Sequence, residues 1–204
     1  MQQKPFELLI ATNNQGKVKE IAQLFGSLPV KLMSLADFDN IIEVEETGLT
    51  FNENAILKAR GYAIQTGMTA LADDSGLEID ALNNAPGVLS ARYAGENTGF
   101  GEKMRLLLSE MEMAADDSRA ARFVCSMAVS NSEGVILHSV EATCGGKIAF
   151  EPRGNGGFGY DPIFQPKGFD MTFGELPDAI KREISHRARA SALIMRFLLD
   201  FIVV

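Results

Sequence analysis

Cysteine and positive charge are both scarce in this sequence of 204 residues. The two cysteines, Cys125 and Cys144, are too few for a disulfide scaffold, and they lack the spacing of a metal site. Lysine and arginine number 19 against 27 acidic residues, which gives a net charge of −8. Such a surface excludes a broad attraction to nucleic acid or to anionic membranes. A polyanionic ligand therefore needs a locally basic pocket or a metal ion.

Long hydrophobic runs are also missing. The longest apolar run near an end, 193–204, is interrupted by Arg196 and Asp200 and is shorter than the roughly 20 residues that cross a bilayer. The N-terminal segment has only a short apolar stretch and lacks the layout of a signal peptide. We therefore expect a soluble, cytoplasmic protein that binds neither membranes nor nucleic acid.

The remaining composition is that of a folded globular protein, with 46% hydrophobic and 23% charged residues. No internal repeat, low-complexity tract or linker rich in Pro, Gly and Ser divides the chain. The length fits one domain over residues 1–204, with one core or with a core split into two lobes around a cleft.

Hydrophobic periodicity predicts a mixture of strands and helices. The predicted elements are a strand over 7–11, helices over 17–25 and from residue 50, a strand within 68–77, a helix over 101–113, hairpin strands over 122–130 and 135–143, and a final helix from about residue 185. Thr50 and Glu53 match a capping box, so Glu53 is assigned to the start of the second helix rather than to catalysis. The final helix carries an apolar face that includes Leu193 and Phe201. A hairpin between helices favours a mixed α/β sheet with flanking helices.

A polar turn, Thr12-Asn13-Asn14-Gln15-Gly16-Lys17, joins the first strand to the first helix. A helix N-terminus exposes N–H groups and the positive end of the helix dipole, so it favours phosphate. The turn does not match the Walker A motif, because Ala11 stands at its first glycine and Val18 at its final Ser/Thr. A phosphate-binding loop and a polar turn without a ligand both fit these residues.

Two acidic segments, Glu43–Glu46 and Asp73-Asp74, supply candidate magnesium ligands. Mg²⁺ takes one or two carboxylates together with water and phosphate oxygens. Successive strand residues point to opposite faces, so we expect one of Asp73 and Asp74 to face a site and the other to be structural. For each single glutamate of the first segment, a solvated acidic loop is the alternative.

Two further segments carry residues that can contact a base. Glycines within 156–161 let the backbone approach a ligand, and Phe158 and Tyr160 offer rings for stacking. Lys181 and Ser185-His186-Arg187 lie near the start of the final helix, where they can donate to polar groups of a ring. The alternatives are a packed glycine-rich loop and a capped helix start with solvated basic residues.

Taken in order, these motifs closely resemble those of the inosine/xanthosine triphosphate pyrophosphatase family. The motifs that carry the resemblance are Thr12–Lys17, Glu45–Gly48, Phe51–Ala55, Asp73–Leu77, Phe158–Pro162 and Ser185–Arg187. Each motif is weak alone, whereas six in sequence, from about Leu8 into the final helix, are specific. One departure is Asn13, which stands where the family often has glycine and leaves Thr12, Asn14 and Lys17 in register.

The resemblance implies an elongated mixed α/β sheet with two lobes around a central active-site cleft, and a homodimer. It implies that Glu46 and Asp74 hold Mg²⁺ and that Asp74 is the catalytic proton acceptor. The other implied residues bind substrate: Thr12, Asn13, Asn14, Gln15, Gly16, Lys17 and Lys58 at the triphosphate, Ser75 as a further contact, and Phe158, Gly159, Tyr160, Asp161, Lys181, His186 and Arg187 at the base.

The implied reaction is hydrolysis of ITP, dITP or XTP to the monophosphate and pyrophosphate, which keeps non-canonical purines out of DNA and RNA. Water attacks the α-phosphorus, and Asp74 receives the proton. His186 and Arg187 are expected to donate to the 6-keto oxygen, whereas the 6-amino group of adenine presents a mismatched donor. A nucleotide-binding sensor without turnover and a phosphohydrolase that releases orthophosphate are the two alternatives.

Overall fold

The computed structural model describes residues 5–112 and 118–202. Its strands and helices follow one another along the chain as β1 (Phe6–Ile10), α1 (Gln15–Phe25), β2 (Val30–Ser34), α2 (Phe51–Thr66), β3 (Ala70–Ile79), α3 (Phe100–Glu110), β4 (Ala120–Ser130), β5 (Ile136–Ile148), β6 (Phe164–Pro166), α4 (Asp178–Ile184) and α5 (His186–Ile202). None of the described helices is long and apolar enough to span a membrane.

Side-chain caps fix where the first two helices begin. The Asn14 side chain accepts a hydrogen bond from the Lys17 backbone N–H at the start of α1. At the start of α2, Thr50 accepts from the Glu53 N–H, and the Glu53 carboxylate accepts from the Thr50 N–H. The assignment of Glu53 to a capping box is confirmed. Gly67, with φ of 65°, ends α2 in the left-handed conformation that glycine adopts without strain.

Parallel and antiparallel pairs share one sheet of six strands, in the order β2-β1-β3-β4-β5-β6. Strand β1 is parallel to both β2 and β3, and β5 is antiparallel to β6. The tight turn 131–135 connects β4 to β5, as expected for the predicted hairpin. The mixed α/β class is therefore confirmed.

Three short elements are absent from the sequence predictions. Strands β2 and β6 have 5 and 3 residues, and α4 has 7. Strand β6 and helix α4 contain too few positions for a hydrophobic period to be visible. Strand β2 is as long as β1, but none of its residues is buried, so it lacks the apolar run that predicts β1. The predicted end of the third helix at Met113 lies outside the described residues.

The chain divides into two compact units. Unit 1 comprises residues 1–74, 125–142 and 187–204, and unit 2 comprises residues 75–124 and 143–186. The chain thus passes between units at four points, two of which separate Asp74 from Ser75 and His186 from Arg187. One domain over residues 1–204 and a central cleft both stay predictions.

Each unit has its own apolar core. In unit 1, residues of β1 and α1 pack with Ala190, Ile194 and Leu198 of α5. Leu193 and Phe201 belong to the predicted apolar face of α5, yet they are 47% and 41% exposed. The prediction for these two residues was wrong, because the buried stripe repeats every four residues and they flank it.

The second core cluster of unit 1 and the core of unit 2 differ in side-chain size. The former contains small residues of α2, including Ala55, Ala59 and Ala63. Small side chains allow a helix to lie close to its neighbours. The core of unit 2 contains several aromatic rings, among them Phe123 and Phe164, whose ring centroids are 4.6 Å apart.

Candidate active site

The predicted phosphate-binding turn is positioned by the start of α1 in unit 1. Thr12 accepts a hydrogen bond from the Asn14 N–H, which closes the turn over 3.2 Å. Asn13, Asn14 and Gln15 are exposed, so the N-terminal end of this 11-residue helix is open to solvent. Asn13 is not among the described non-glycine residues with positive φ, and its difference from the family glycine therefore needs no strained backbone.

A buried carboxylate connects this turn to α5. Asp73 has no exposed surface, and its Oδ2 lies 3.1 Å from Lys17 Nζ. The same oxygen accepts from Arg187 Nε and Nη2 at 3.3 and 3.2 Å, while Arg187 Nη1 lies 2.5 Å from Glu20. Burial raises the pKa of Asp73, but the charges of Lys17, Arg187 and Lys58 outweigh it and hold this pKa well below its usual range.

Asp74 belongs to a second set of contacts in unit 1. Lys58 Nζ lies 2.6 Å from Glu46 Oε1 and 3.0 Å from Asp74 Oδ1, so one ammonium joins two carboxylates from separate segments. Asn54 donates to Asp74 Oδ2 at 3.2 Å and accepts from the Gly48 N–H at 2.7 Å. We call the set of Lys17, Glu46, Asn54, Lys58, Asp73, Asp74 and Arg187 the charged cluster.

The pKa values of Asp74 and Lys58 are both raised. For Asp74, burial is the largest cause, and Glu46 adds to it while Lys58 and Lys17 oppose it. For Lys58, burial alone lowers the pKa, but the charges of Asp74 and Glu46 more than reverse that effect. The Lys58 ammonium is therefore held in its charged form next to the two carboxylates.

The donor set at Lys58 fits a magnesium ion. Glu46 and Asp74 approach the same ammonium, as two carboxylates that share one cation must. Within residues 5–112 and 118–202, no group of three or more His, Cys, Asp or Glu side chains could hold a metal. Mg²⁺ needs no such group, since it takes one or two carboxylates and fills its shell with water and phosphate oxygens. Glu43 and Glu45 are exposed, as in the alternative of a solvated acidic loop.

A second group of predicted site residues lies in unit 2. Asp161 Oδ2 lies 2.6 Å from Lys181 Nζ and accepts from the Phe158 N–H at 2.8 Å. The Lys181 ammonium lies 5.0 Å from the ring centroid of Phe158 and 5.8 Å from that of Phe173. A Cβ on Gly157 would lie 1.9 Å from Asp161 Oδ2, so only glycine allows this turn.

His186 lies against an aromatic wall in the same unit. Its ring stacks on Phe123 with centroids 4.6 Å apart and an interplanar angle of 15°. Phe123 in turn packs against Phe164 and Phe173. We call the set of Phe123, Phe158, Asp161, Phe173, Lys181 and His186 the aromatic cluster.

Two predicted base contacts have other partners in the structure. Tyr160 is 3% exposed, donates its hydroxyl to the Ser90 carbonyl at 3.0 Å and packs edge-on against Phe100. Arg187 is 2% exposed and contacts Asp73 and Glu20, so it is a buried, paired residue and not one of the solvated basic residues of the alternative. Contact of these side chains with a base stays a prediction, as does the role of half-buried Ser75.

Sequence reasoning alone did not single out Asn54 or Phe123 as functional. Asn54 stands inside the quoted motif Phe51–Ala55, and its complete burial is unusual for an amide on a helix. Phe123 gave no such signal, because a phenylalanine in a strand reads as an ordinary core residue.

Comparisons with known proteins identify relatives of this chain. The model of the Ham1 family matches residues 8–197. The dITP/XTP pyrophosphatase of Desulforamulus reducens is 47% identical over 192 residues, which cover 94% of this chain and 95% of that protein. The dITP/XTP pyrophosphatase of Geobacter sulfurreducens is 48% identical over 187 residues, which cover 92% and 94%.

Solved structures of Ham1 proteins are similar to this chain in fold. A HAM1 protein from Coxiella burnetii superposes with a TM-score of 0.85 at 43% identity, over 96% of this chain and 99% of that one. The Ham1 protein of Staphylococcus aureus superposes with a TM-score of 0.83 at 40% identity, over 95% and 98%. Sequence and fold agree over nearly the whole chain, which therefore belongs to the Ham1 family.

Proposed function

We propose that this chain hydrolyses non-canonical purine nucleoside triphosphates, ITP, dITP and XTP, to the monophosphate and pyrophosphate. Relatives 47% and 48% identical are named dITP/XTP pyrophosphatase, and they match more than nine-tenths of the chain. The observation that carries the proposal is the Lys58 ammonium between Glu46 and Asp74, because it brings two carboxylates and a cation together at the middle of β3. The activity removes these nucleotides before they enter DNA or RNA.

The triphosphate binds to the charged cluster. The open N-terminus of α1 offers N–H groups, and Lys17 and Lys58 add two positive charges. Both ammonium groups already contact carboxylates, so substrate phosphates compete with Asp73 and Asp74 for them. Asp73 holds Lys17 in place, and Ser75 adds a further substrate contact.

Asp74 receives the proton when water attacks the α-phosphorus. A bond forms from the water oxygen to the phosphorus, the bond to the bridging oxygen breaks, and pyrophosphate leaves with that oxygen. Asn54 fixes the orientation of the Asp74 carboxylate through Oδ2. A positioned base of this kind accelerates such steps by about 10²–10⁴-fold.

Glu46 and Asp74 are the residues that would hold Mg²⁺. When bound, this ion neutralises negative charge on the phosphates and the departing pyrophosphate. The raised pKa of Lys58 keeps a second positive charge beside these carboxylates.

The purine binds to the aromatic cluster. Phe158 offers a ring face, the 157–159 turn brings the backbone close, and Lys181 is fixed by Asp161. His186 and Arg187 donate to the 6-keto oxygen of hypoxanthine or xanthine. In adenine the 6-amino group is a donor, and each buried donor left unpaired costs about 1–3 kcal/mol.

The protein is further proposed to act as a homodimer in the cytoplasm, where nucleotide pools for DNA and RNA synthesis are found. The homodimer follows from the family resemblance of the motifs. Cys125 and Cys144 are both buried and form no disulfide with each other, as is usual for proteins of a reducing compartment.

The reaction products test the proposal. Purified protein with ITP and Mg²⁺ is expected to release pyrophosphate and IMP in equal amounts, measured by ³¹P NMR without added pyrophosphatase. Orthophosphate together with IDP would instead identify a γ-phosphohydrolase. Tight binding of ITP without any product would identify a nucleotide sensor.

A further inference from the structure

A pocket lies wholly within unit 2, among residues with no role in the proposed hydrolysis. Its volume is about 420 Å³, which is within the range of pockets that hold small organic ligands. Its walls come from the start of β4, the end of β5, and β6 with the turn that follows. No residue of the charged cluster or the aromatic cluster lines it.

A glycine leaves part of this space open. Gly145 stands in β5, and a Cβ built on it would meet nothing within 4 Å. Glycine weakens the interior of a strand and often marks a place where a ligand approaches the backbone. The gap at Gly145 is therefore a depression in the sheet surface rather than a result of close packing.

The wall formed by the turn after β6 is fixed by hydrogen bonds. The Lys167 N–H donates to the Gly145 carbonyl at 3.0 Å, and the Phe169 N–H donates to the Pro166 carbonyl at 3.2 Å. The Gln165 side chain donates to the Phe169 carbonyl at 2.8 Å. These bonds preform the pocket, so a ligand does not have to order the loop.

The charge of the lining is positive although the protein is acidic overall. Arg122, Lys147 and Lys167 line the pocket together with one carboxylate, Asp80. Arg122 lies 3.8 Å from Asp80 and 2.6 Å from Glu78, which orients its guanidinium. In a chain of net charge −8, three cations around one apolar pocket favour an anion.

We propose that this pocket binds a small organic phosphate of about mononucleotide size. The phosphate lies at Lys147 and Lys167, and the organic part lies over Gly145 against Phe169. Both parts are required, because the lining combines a ring and exposed backbone with positive charge. This site is separate from the proposed hydrolytic site and does not depend on that proposal.

Isothermal titration calorimetry with AMP, adenosine and inorganic phosphate tests the proposal. AMP combines a phosphate with a ring, and its 6-amino group disfavours the base site proposed above. AMP is expected to bind saturably at one site per chain, and adenosine and inorganic phosphate each more weakly. Equal affinity for phosphate and AMP would show a simple anion site, and no saturable binding of AMP would overturn the proposal.

Matched variants locate the binding. Lys147→Gln and Lys167→Gln are each expected to weaken AMP binding about tenfold, and Gly145→Val should abolish it by filling the depression. The controls are Lys31→Gln, which removes a charge in unit 1, and Gly101→Ala, at a glycine whose added Cβ also meets nothing within 4 Å. ITP hydrolysis should be unchanged in all five variants.

Two results would contradict this location. If Lys17→Ala weakens AMP binding while Lys147→Gln does not, AMP occupies the proposed triphosphate site instead. If Gly145→Val changes the molar mass measured by light scattering, the depression is a protein contact and not a ligand pocket.

Discussion

Charge holds the candidate site residues of unit 1 together, whereas rings hold most of those of unit 2. In the charged cluster, Asp73 contacts two cations, and Lys58 contacts two carboxylates. In the aromatic cluster, one ion pair between Asp161 and Lys181 lies among phenylalanine rings. The proposed function assigns phosphate to the charged cluster and the purine to the aromatic cluster, because phosphate is recognised by charge and a purine by stacking and directed hydrogen bonds.

The two clusters should also respond differently to mutation. Removal of one partner from a buried network of charges leaves another charge uncompensated, which is costly. Removal of one ring from an aromatic wall loses only packing and a preferred orientation. The following substitutions separate these two responses.

Asp74→Asn is expected to have the largest effect on turnover, a loss of about 10²–10⁴-fold in kcat. The amide keeps the shape of the side chain but cannot accept a proton. Pyrophosphate release from ITP measures the effect, and circular dichroism shows whether the variant is folded. Asp39→Asn removes an exposed carboxylate and is the control, with unchanged kcat. Near-wild-type turnover in Asp74→Asn would refute the role of this residue.

Arg187→Ala is expected to lower the free energy of unfolding by about 3–5 kcal/mol, because Asp73 loses a buried partner. Urea denaturation measures this loss. Adding Asp73→Asn to Arg187→Ala should restore part of the stability, since it removes the uncompensated charge. A loss below 1 kcal/mol would mean that the pair is worth no more than a surface ion pair.

The same Arg187→Ala variant tests the proposed contact with the base. The ratio of kcat/KM for ITP to that for ATP is expected to fall, since one donor to the 6-keto oxygen is lost. An unchanged ratio would limit Arg187 to the charged cluster and leave selectivity to His186 and the turn around Phe158.

Lys17→Ala should weaken binding of ITP by about 10- to 100-fold, as expected for loss of a charged hydrogen bond to phosphate. Binding of inosine, which has no phosphate, should change little. Lys181→Ala in unit 2 is the matching substitution at the proposed base site, and it should weaken binding of both ITP and inosine. Calorimetry on the two variants measures these affinities, and equal losses for both ligands with Lys17→Ala would place Lys17 away from the phosphates.

Phe123→Leu is expected to have the smallest effect. It removes the ring on which His186 stacks and should lower the free energy of discrimination between ITP and ATP by about 0.5–1.5 kcal/mol. The ratio of kcat/KM for ITP to ATP should fall by a few fold while kcat for ITP stays the same. Phe201→Leu removes two ring contacts in unit 1, with Phe6 and Phe197, and is the control for general loss of packing. A ratio that stays at the wild-type value in Phe123→Leu would show that the stack does not position His186.

Local features of this protein could be predicted from the sequence because their physical causes lie within a few residues. The Thr50–Glu53 capping box, the turn between β1 and α1, and the hairpin of β4 and β5 all depend on neighbours in the chain. Strand alternation also predicted different surroundings for Asp73 and Asp74. In the structure Asp73 contacts Lys17 and Arg187, whereas Asp74 contacts Lys58. The order of the motifs identified the family, which the comparisons confirm.

The sequence alone thus determined the mixed α/β class, the approximate starts of α1, α2, α3 and α5, and the family. Only the tertiary structure decided which side chains meet: Arg187 with Asp73, 114 positions apart, Tyr160 with Ser90, and His186 with Phe123. The physical reason is the distance along the chain over which each interaction acts, since a helix cap or a strand period involves only a few neighbouring residues. The partner of a buried arginine instead depends on which carboxylate the fold brings within about 3 Å. Burial makes this pairing necessary for stability, because an unpaired buried charge is costly.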